Sequence, residues 1–140
     1  MSLAEKEAAR AARKAALKEQ YEEQREKDIE ALDLLETEHG DSNVAYENFA
    51  FIPGLPTLAA VRCPSEPELK RFRYRVKPVK GEVDAMAAID ASEELATVCL
   101  IYPDKDTYGR MKAAKPGIHV RLGTAALGLV QGSVAEKGKD

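Results

Sequence analysis

The chain has 140 residues, is 44% hydrophobic and 32% charged, and carries a formal net charge of −3. That length suits one domain, or one domain with an extension, and the charge gives no general pull toward nucleic acid or anionic membrane. No apolar run approaches the roughly 18 residues of a membrane span, and residues 1–17 mix alanine with both signs of charge where a secretory signal would be continuously apolar. The expected location is therefore the cytoplasm, or the host cytoplasm if the chain is viral.

Residues 3–38 contain neither glycine nor proline and are dominated by Ala, Glu, Lys, Arg and Leu, which predicts one continuous helix. At about 1.5 Å per residue it is on the order of 50 Å long. Lys18 with Glu22, Glu23 with Lys27, and Glu22 with Arg25 fall at helical spacing, each pair adding about 0.2–0.5 kcal/mol. Residues 1–18 hold five basic groups (Lys6, Arg10, Arg13, Lys14, Lys18) and two acidic ones, whereas residues 19–38 hold nine acidic groups and two basic ones. This polarity opposes the helix dipole. A partner of complementary charge would improve such a helix, and two antiparallel copies would supply one. The apolar stripe is alanine at first (Ala4, Ala8, Ala11, Ala15) and then interrupted by Gln24 and Asp28. Only Ile29, Leu32, Leu34 and Leu35 are bulky. The pattern predicts an exposed start and an end that packs on a domain near residue 35, with too few Leu or Ile seam positions for a durable coiled coil.

Gly40 is placed as a helix C-cap. The boundaries expected are an extended charged helix over 1–40, a compact α+β domain over 41–132 and a disordered tail over 133–140. Residues 44–52 and 57–63 read as two strands around Pro53-Gly54-Leu55-Pro56. Ser65 and Glu68 form a capping box that predicts a helix over 66–75. Phe72, Tyr74 and Val76 also alternate with Arg71, Arg73, Arg75 and Lys77 at strand period, and a short helix leading into a strand satisfies both signals. Residues 83–100 read as a helix with Met86, Ile89, Ala96 and Leu100 near one face. A short helix follows Pro103-Asp104, with Tyr108 and Met111 as its apolar pair. The last helix starts at Pro116-Gly117, carries Ile118, Leu122, Ala125, Ala126 and Leu129 on one face, and closes at Gly132. The fold class expected is α+β, mainly helical: a long N-terminal charged helix, a short β-hairpin, then three to four packed helices.

No constellation identifies a reaction, so a non-enzymatic role is expected, with no catalytic residue, cofactor, metal or small-molecule substrate. His39 and His119 stand at no ligand spacing and read as solvated. Cys63 and Cys99 lie in no metal or redox motif and read as reduced, mostly buried thiols. Asp104 and Asp106 suit helix capping. Gly123 and Gly128 suggest close helix packing. The basic segment Lys70, Arg71, Arg73, Arg75 and Lys77, interleaved with aromatics, has the chemistry of a single-stranded nucleic-acid surface. It matches no RNA-recognition signature and sits in an acidic chain, so nucleic acid is disfavoured. The alternatives are a solvated strand face, or a patch docking on an acidic helix such as residues 19–38 of this chain or a neighbour.

From Val61 the order of features runs Val61-Arg62-Cys63-Pro64-Ser65-Glu66-Pro67-Glu68, then Lys70-Arg71-Phe72. A helix follows, ending in Cys99-Leu100-Ile101-Tyr102-Pro103-Asp104, and then come Lys115-Pro116-Gly117-Ile118 and a helix closing at Val130-Gln131-Gly132. This resembles the tail assembly chaperones of long-tailed bacteriophages over residues 58–132; the charged N-terminal helix departs from them. The resemblance implies a non-catalytic chaperone that coats a long helical client, the tape-measure protein, and recruits tail-tube subunits. The client face it implies is Tyr108, Met111, Ile118, Leu122, Ala126 and Leu129; the alternative is that these residues form the domain's own core. The partners implied are proteins, with self-association as a further option and no membrane. A structural or adaptor subunit docking through its N-terminal helix is the second reading.

Overall fold

The computed structural model describes residues 1–131, so Gly132 and the 133–140 tail expected from the sequence lie outside the described residues. The chain runs α1 (Leu3–His39), a 3-10 turn (Asp41–Asn43), β1 (Val44–Asn48), β2 (Leu58–Arg62), α2 (Glu66–Arg75), α3 (Ala85–Cys99), β3 (Leu100–Tyr102), α4 (Lys105–Ala114) and α5 (Gly117–Val130). The α+β, mainly helical class holds, with four helices after the hairpin.

The uninterrupted helix-former composition of α1 is closed by a cap at each end. Ser2 Oγ accepts from the Glu5 amide at 3.1 Å, and Glu5 Oε1 accepts from the Ser2 amide at 3.3 Å. Gly40, at φ 90°, ends the helix and donates its amide to the Glu36 carbonyl at 2.8 Å. The charge pairs expected within α1 do not close to ion-pair distance among the described residues.

The sheet is antiparallel in the order β1-β2-β3. Strand β2 lies at its centre and is covered on both faces, which is why Leu58-Ala59-Ala60-Val61 reads as a continuous apolar run. Ala59 and Val61 pack with Leu95, Cys99, Ile118, Leu122 and Ala126 of α3 and α5. Leu58 and Ala60 pack with Leu32 of α1 and Val44. The result is three layers, with α1 on one face of the sheet and α3 and α5 on the other. The 49–57 connection turns at Gly54, whose φ of 87° and Leu55-to-Ile52 amide bond of 3.0 Å are those of a type II turn. The strands are shorter than expected, ending at Asn48 and starting at Leu58, although the Phe49 amide still donates to the Thr57 carbonyl at 2.8 Å.

The helix expected over 66–75 is present at those bounds, and the strand suggested by the alternation over 72–76 does not form. The Ser65–Glu68 capping box starts the helix, and its i, i+4 rhythm turns Phe72 toward α3 while Tyr74 stays exposed. Leu100–Tyr102, read as the end of a helix, is instead the third strand, pairing with Ala60 and Val61.

Gly123 marks the closest helix contact. A Cβ there would stand 2.2 Å from the Ser92 carbonyl oxygen of α3, whereas one at Gly128 would meet nothing within 4 Å. The close packing expected of both glycines therefore belongs to Gly123 alone.

Asp28, fully buried on α1, fixes that helix to the sheet. Its Oδ2 accepts from the Thr57 amide and the Thr57 hydroxyl, both at 2.6 Å. Its Oδ1 accepts from Gln24 Nε2 at 2.9 Å and from the Tyr102 hydroxyl. Arg25 donates to the Thr57 carbonyl at 3.3 Å and to its hydroxyl at 3.2 Å. Asp28→Ala strands a buried amide and should cost about 3 kcal/mol, because bonds to a charged group are each worth roughly 1.5–3 kcal/mol. Asp28→Asn should cost less but remain destabilising, since one end of the amide turns a donor toward donors. Denaturant midpoints of the two variants test this ranking. Gly123→Ala should cost about 1–3 kcal/mol by overpacking, in the same assay.

Candidate functional site

The six residues of the implied client face do not form a surface. Tyr108, Met111, Ile118, Leu122, Ala126 and Leu129 are all buried, Leu129 being the most exposed at 8%. The reason is geometric: α5 presents its i, i+4, i+7, i+8 face to α3 and the sheet, and α4 folds back over the start of α5. Those positions are the domain's own core and are closed to a client in this conformation.

His119, read as solvated, is likewise inside. The Tyr108 hydroxyl lies 2.6 Å from its Nδ1. Burial, and next the Lys112 charge, lower the imidazole pKa, while burial and the Glu93 charge raise that of the phenol. Both rings are therefore neutral near pH 7, and the imidazole tautomer sets which of the two donates in the Tyr108–His119 hydrogen bond. His39 is half-buried at the end of α1. Both cysteines are free; Cys63 is half-exposed, and burial pushes the Cys99 thiol up to about 11. Asp104 caps α4, accepting from the Thr107 amide at 3.0 Å and its hydroxyl at 2.7 Å.

The basic segment forms a helix, and this divides it. Lys70 reaches Glu66 at 3.2 Å along α2. Arg71 and Arg75, one turn apart, both turn to Glu94 of α3, Arg71 at 3.4 Å. Arg73 and Lys77 form no ion pair among the described residues. Glu94 thus neutralises part of the patch, and a single continuous cationic strip does not exist.

Helices α2 and α3 are antiparallel. Near the closed end, Arg62 grips Glu68 through two bonds of 2.8 and 2.9 Å and donates to the Val98 carbonyl at 3.0 Å. Farther out, Arg75 meets Glu94. Between them lies a cleft of about 90 Å³, floored by Phe72, Ala91, Leu95 and Val98. Small-molecule pockets start at roughly 300 Å³, so this cleft is too small to serve as one.

The tip of this hairpin exposes several large apolar side chains. Tyr74 (80% exposed), Val79 (72%), Val83 (58%), Met86 (64%) and Ile89 (39%) fall within one turn-and-return of the chain. A short Val79–Glu82 bridge closes the turn, with Lys80 and Gly81 at positive φ. Arg73, Lys77, Lys80, Glu82 and Asp84 lie in the same stretch of chain, so the charge around the tip is of both signs. Exposed apolar side chains among charged residues are the composition of a protein-docking surface. Sequence reading missed it because Tyr74 fitted a strand alternation, Met86 and Ile89 fitted one helix face with Ala96 and Leu100, and Val79 fell in a turn.

The second exposed feature is the start of α1. Residues 1–23 are exposed throughout, and contact with the domain begins where Tyr21 meets the Phe51 ring edge-on at 5.5 Å. About five turns of helix project beyond the domain.

The Arg62–Glu68 pair carries a pH dependence. The bond from Arg62 holds the Glu68 carboxyl at about 2, below its usual value of 4.5. A carboxylate depressed in the folded state stabilises it above the unfolded pKa, and that contribution disappears as pH falls through the folded one. Wild type should therefore be more stable than Glu68→Gln at pH 6, and the gap should shrink steadily between pH 4.5 and 2, as thermal melts at matched ionic strength would register. No family model, curated protein or solved structure matches the chain.

Proposed function

We propose that this protein is a non-catalytic assembly chaperone of the type found in long-tailed bacteriophages, binding a long helical client such as a tape-measure protein and helping to bring in tail-tube subunits. The observation that carries this reading is the exposed apolar tip of the α2–α3 hairpin. A client that is helical and partly hydrophobic needs an apolar surface to cover it and a charged exterior to keep the complex dissolved. The tip supplies the first, and α1 supplies the second. The resemblance over residues 58–132 supports the same reading. Its motif positions fall on the joints of one folded unit: Ser65 and Glu68 cap α2, Pro103 and Asp104 lead into α4, and Pro116 leads into α5. With Ile118, Leu122 and Ala126 in the core, the client surface moves to Tyr74, Val79, Val83, Met86 and Ile89. The work is performed by the cytoplasmic form of the protein, which leaves before the particle matures.

A second reading is a structural adaptor that remains in a particle and docks through α1. The specific observation in its favour is the projecting arm, which has no partner among the described residues.

Co-expression with a long, helix-rich client decides between the readings. Tyr74→Asp/Met86→Asp should leave the fold intact, as judged by circular dichroism, and should abolish client solubilisation, while purified mature particles should lack the protein. A folded double variant that still keeps the client soluble excludes the tip. Stoichiometric protein in mature particles, lost on deletion of residues 1–20, favours the adaptor.

A further inference from the structure

The arm and the anchored half of α1 carry charge on opposite sides of the same helix. Lys6, Arg10 and Lys14 precede Gln24, Asp28 and Leu32 by 18 positions each. Eighteen residues make five turns at about 3.6 residues per turn. Asp28 and Leu32 are buried against the sheet, so Lys6, Arg10 and Lys14 lie on the same side of the helix, where the arm has passed the edge of the domain. They form a basic underside, flanked by Arg13 and by Glu7. The outer side carries a second 18-residue correspondence. Ala4, Ala8, Ala12 and Ala15 of the arm align with Glu22, Glu26, Glu30 and Asp33 of the anchored half. Glu22, Glu26, Glu30 and Asp33 are exposed. Among the described residues, none of Lys6, Arg10, Lys14, Glu22, Glu26 and Glu30 is used in an ion pair.

Both stripes repeat every four residues. With Arg10 set on Glu26 of a second chain, Lys6 and Lys14 fall on Glu22 and Glu30, and this holds for parallel or antiparallel helices. We propose that the chains associate head to tail, the basic underside of one α1 arm seated on the acidic outer stripe of the next chain's α1. The occupant of the arm is thus a second copy of this protein.

The proposed contact differs from the simple antiparallel pair expected from the charge division. A chain lying under the arm meets it with its own outer stripe, so that chain's arm underside faces away from the first. The contact is heterologous, and each added copy leaves one underside and one stripe open. Contacts of this kind are solvent-exposed and therefore weak and strongly screened by salt.

Sedimentation velocity on the full-length protein tests this. The monomer is 15.3 kDa. The mass should rise with protein concentration at about 0.05 M salt and return to the monomer at about 0.5 M, where the Debye length is roughly threefold shorter. Lys6→Glu/Arg10→Glu/Lys14→Glu and, separately, Glu22→Lys/Glu26→Lys/Glu30→Lys should each be monomeric at low salt with unchanged helicity. Mixing the two variants should restore the larger species, because each arm then finds a stripe of opposite sign. A wild type that stays monomeric at low salt overturns the proposal. So does a larger species that survives either triple reversal, or a mixture that stays monomeric.

Discussion

The Asp28 carboxylate holds together three segments that are distant in sequence. From the middle of α1 it accepts hydrogen bonds from Thr57, at the end of the β1–β2 loop, and from Tyr102, at the end of β3. A buried charge is tolerated only when its oxygens are satisfied, and here both are. The apolar contact of α1 with the sheet is small, with Leu32 and Ile29 against Leu58, Ala60 and Val44 and the half-buried Ile101 and Tyr102. Such a contact would allow a helix to slide or rotate. The carboxylate removes that freedom, because only one rotation of α1 presents Asp28 to both Thr57 and Tyr102. Every surface property of α1 follows from that rotation. It fixes which side of the arm is basic and turns the glutamates of the second half away from the sheet.

Much of this architecture was legible in the sequence, and the failures have physical causes. The long helix, the hairpin around Gly54 and the three later helices followed from composition, turn residues and capping signals, all of which act locally. Asp28 was read as a polar interruption of a weak stripe, because its partners come from residues 57 and 102, and no local pattern announces them. Strand β3 was missed for a related reason. Three apolar residues ahead of a proline fit a helix end as well as a strand, and pairing with β2 decided the matter. His119 looked solvated because its helix was read without α4, whose Tyr108 supplies the hydrogen bond that allows it inside. The apolar face of α5 was recognised correctly as a face. Its occupant could not be read from periodicity, since a core and a client impose the same pattern.

The exposed chemistry falls into two separated regions. The α2–α3 tip exposes apolar side chains among charges of both signs, and α1 is polar with opposite charges on its two sides. The Arg62–Glu68 and Arg75–Glu94 contacts brace α2 against α3 and so keep the tip's side chains projecting outward. This division suits a protein that holds a hydrophobic client at one place and meets copies of itself at another. Because both surfaces sit on helices fixed to one sheet, the distance between them is set by the fold.

Hydrogen exchange at the Thr57 amide is the most direct test of Asp28 as the organising contact. That amide lies in no helix and donates to the carboxylate at 2.6 Å. If Asp28 anchors α1, Thr57 should exchange only through global unfolding, at the same rate as the central β2 amides. Exchange at the rate of an open loop would contradict it and would mean that α1 rests on the sheet through its few apolar contacts alone.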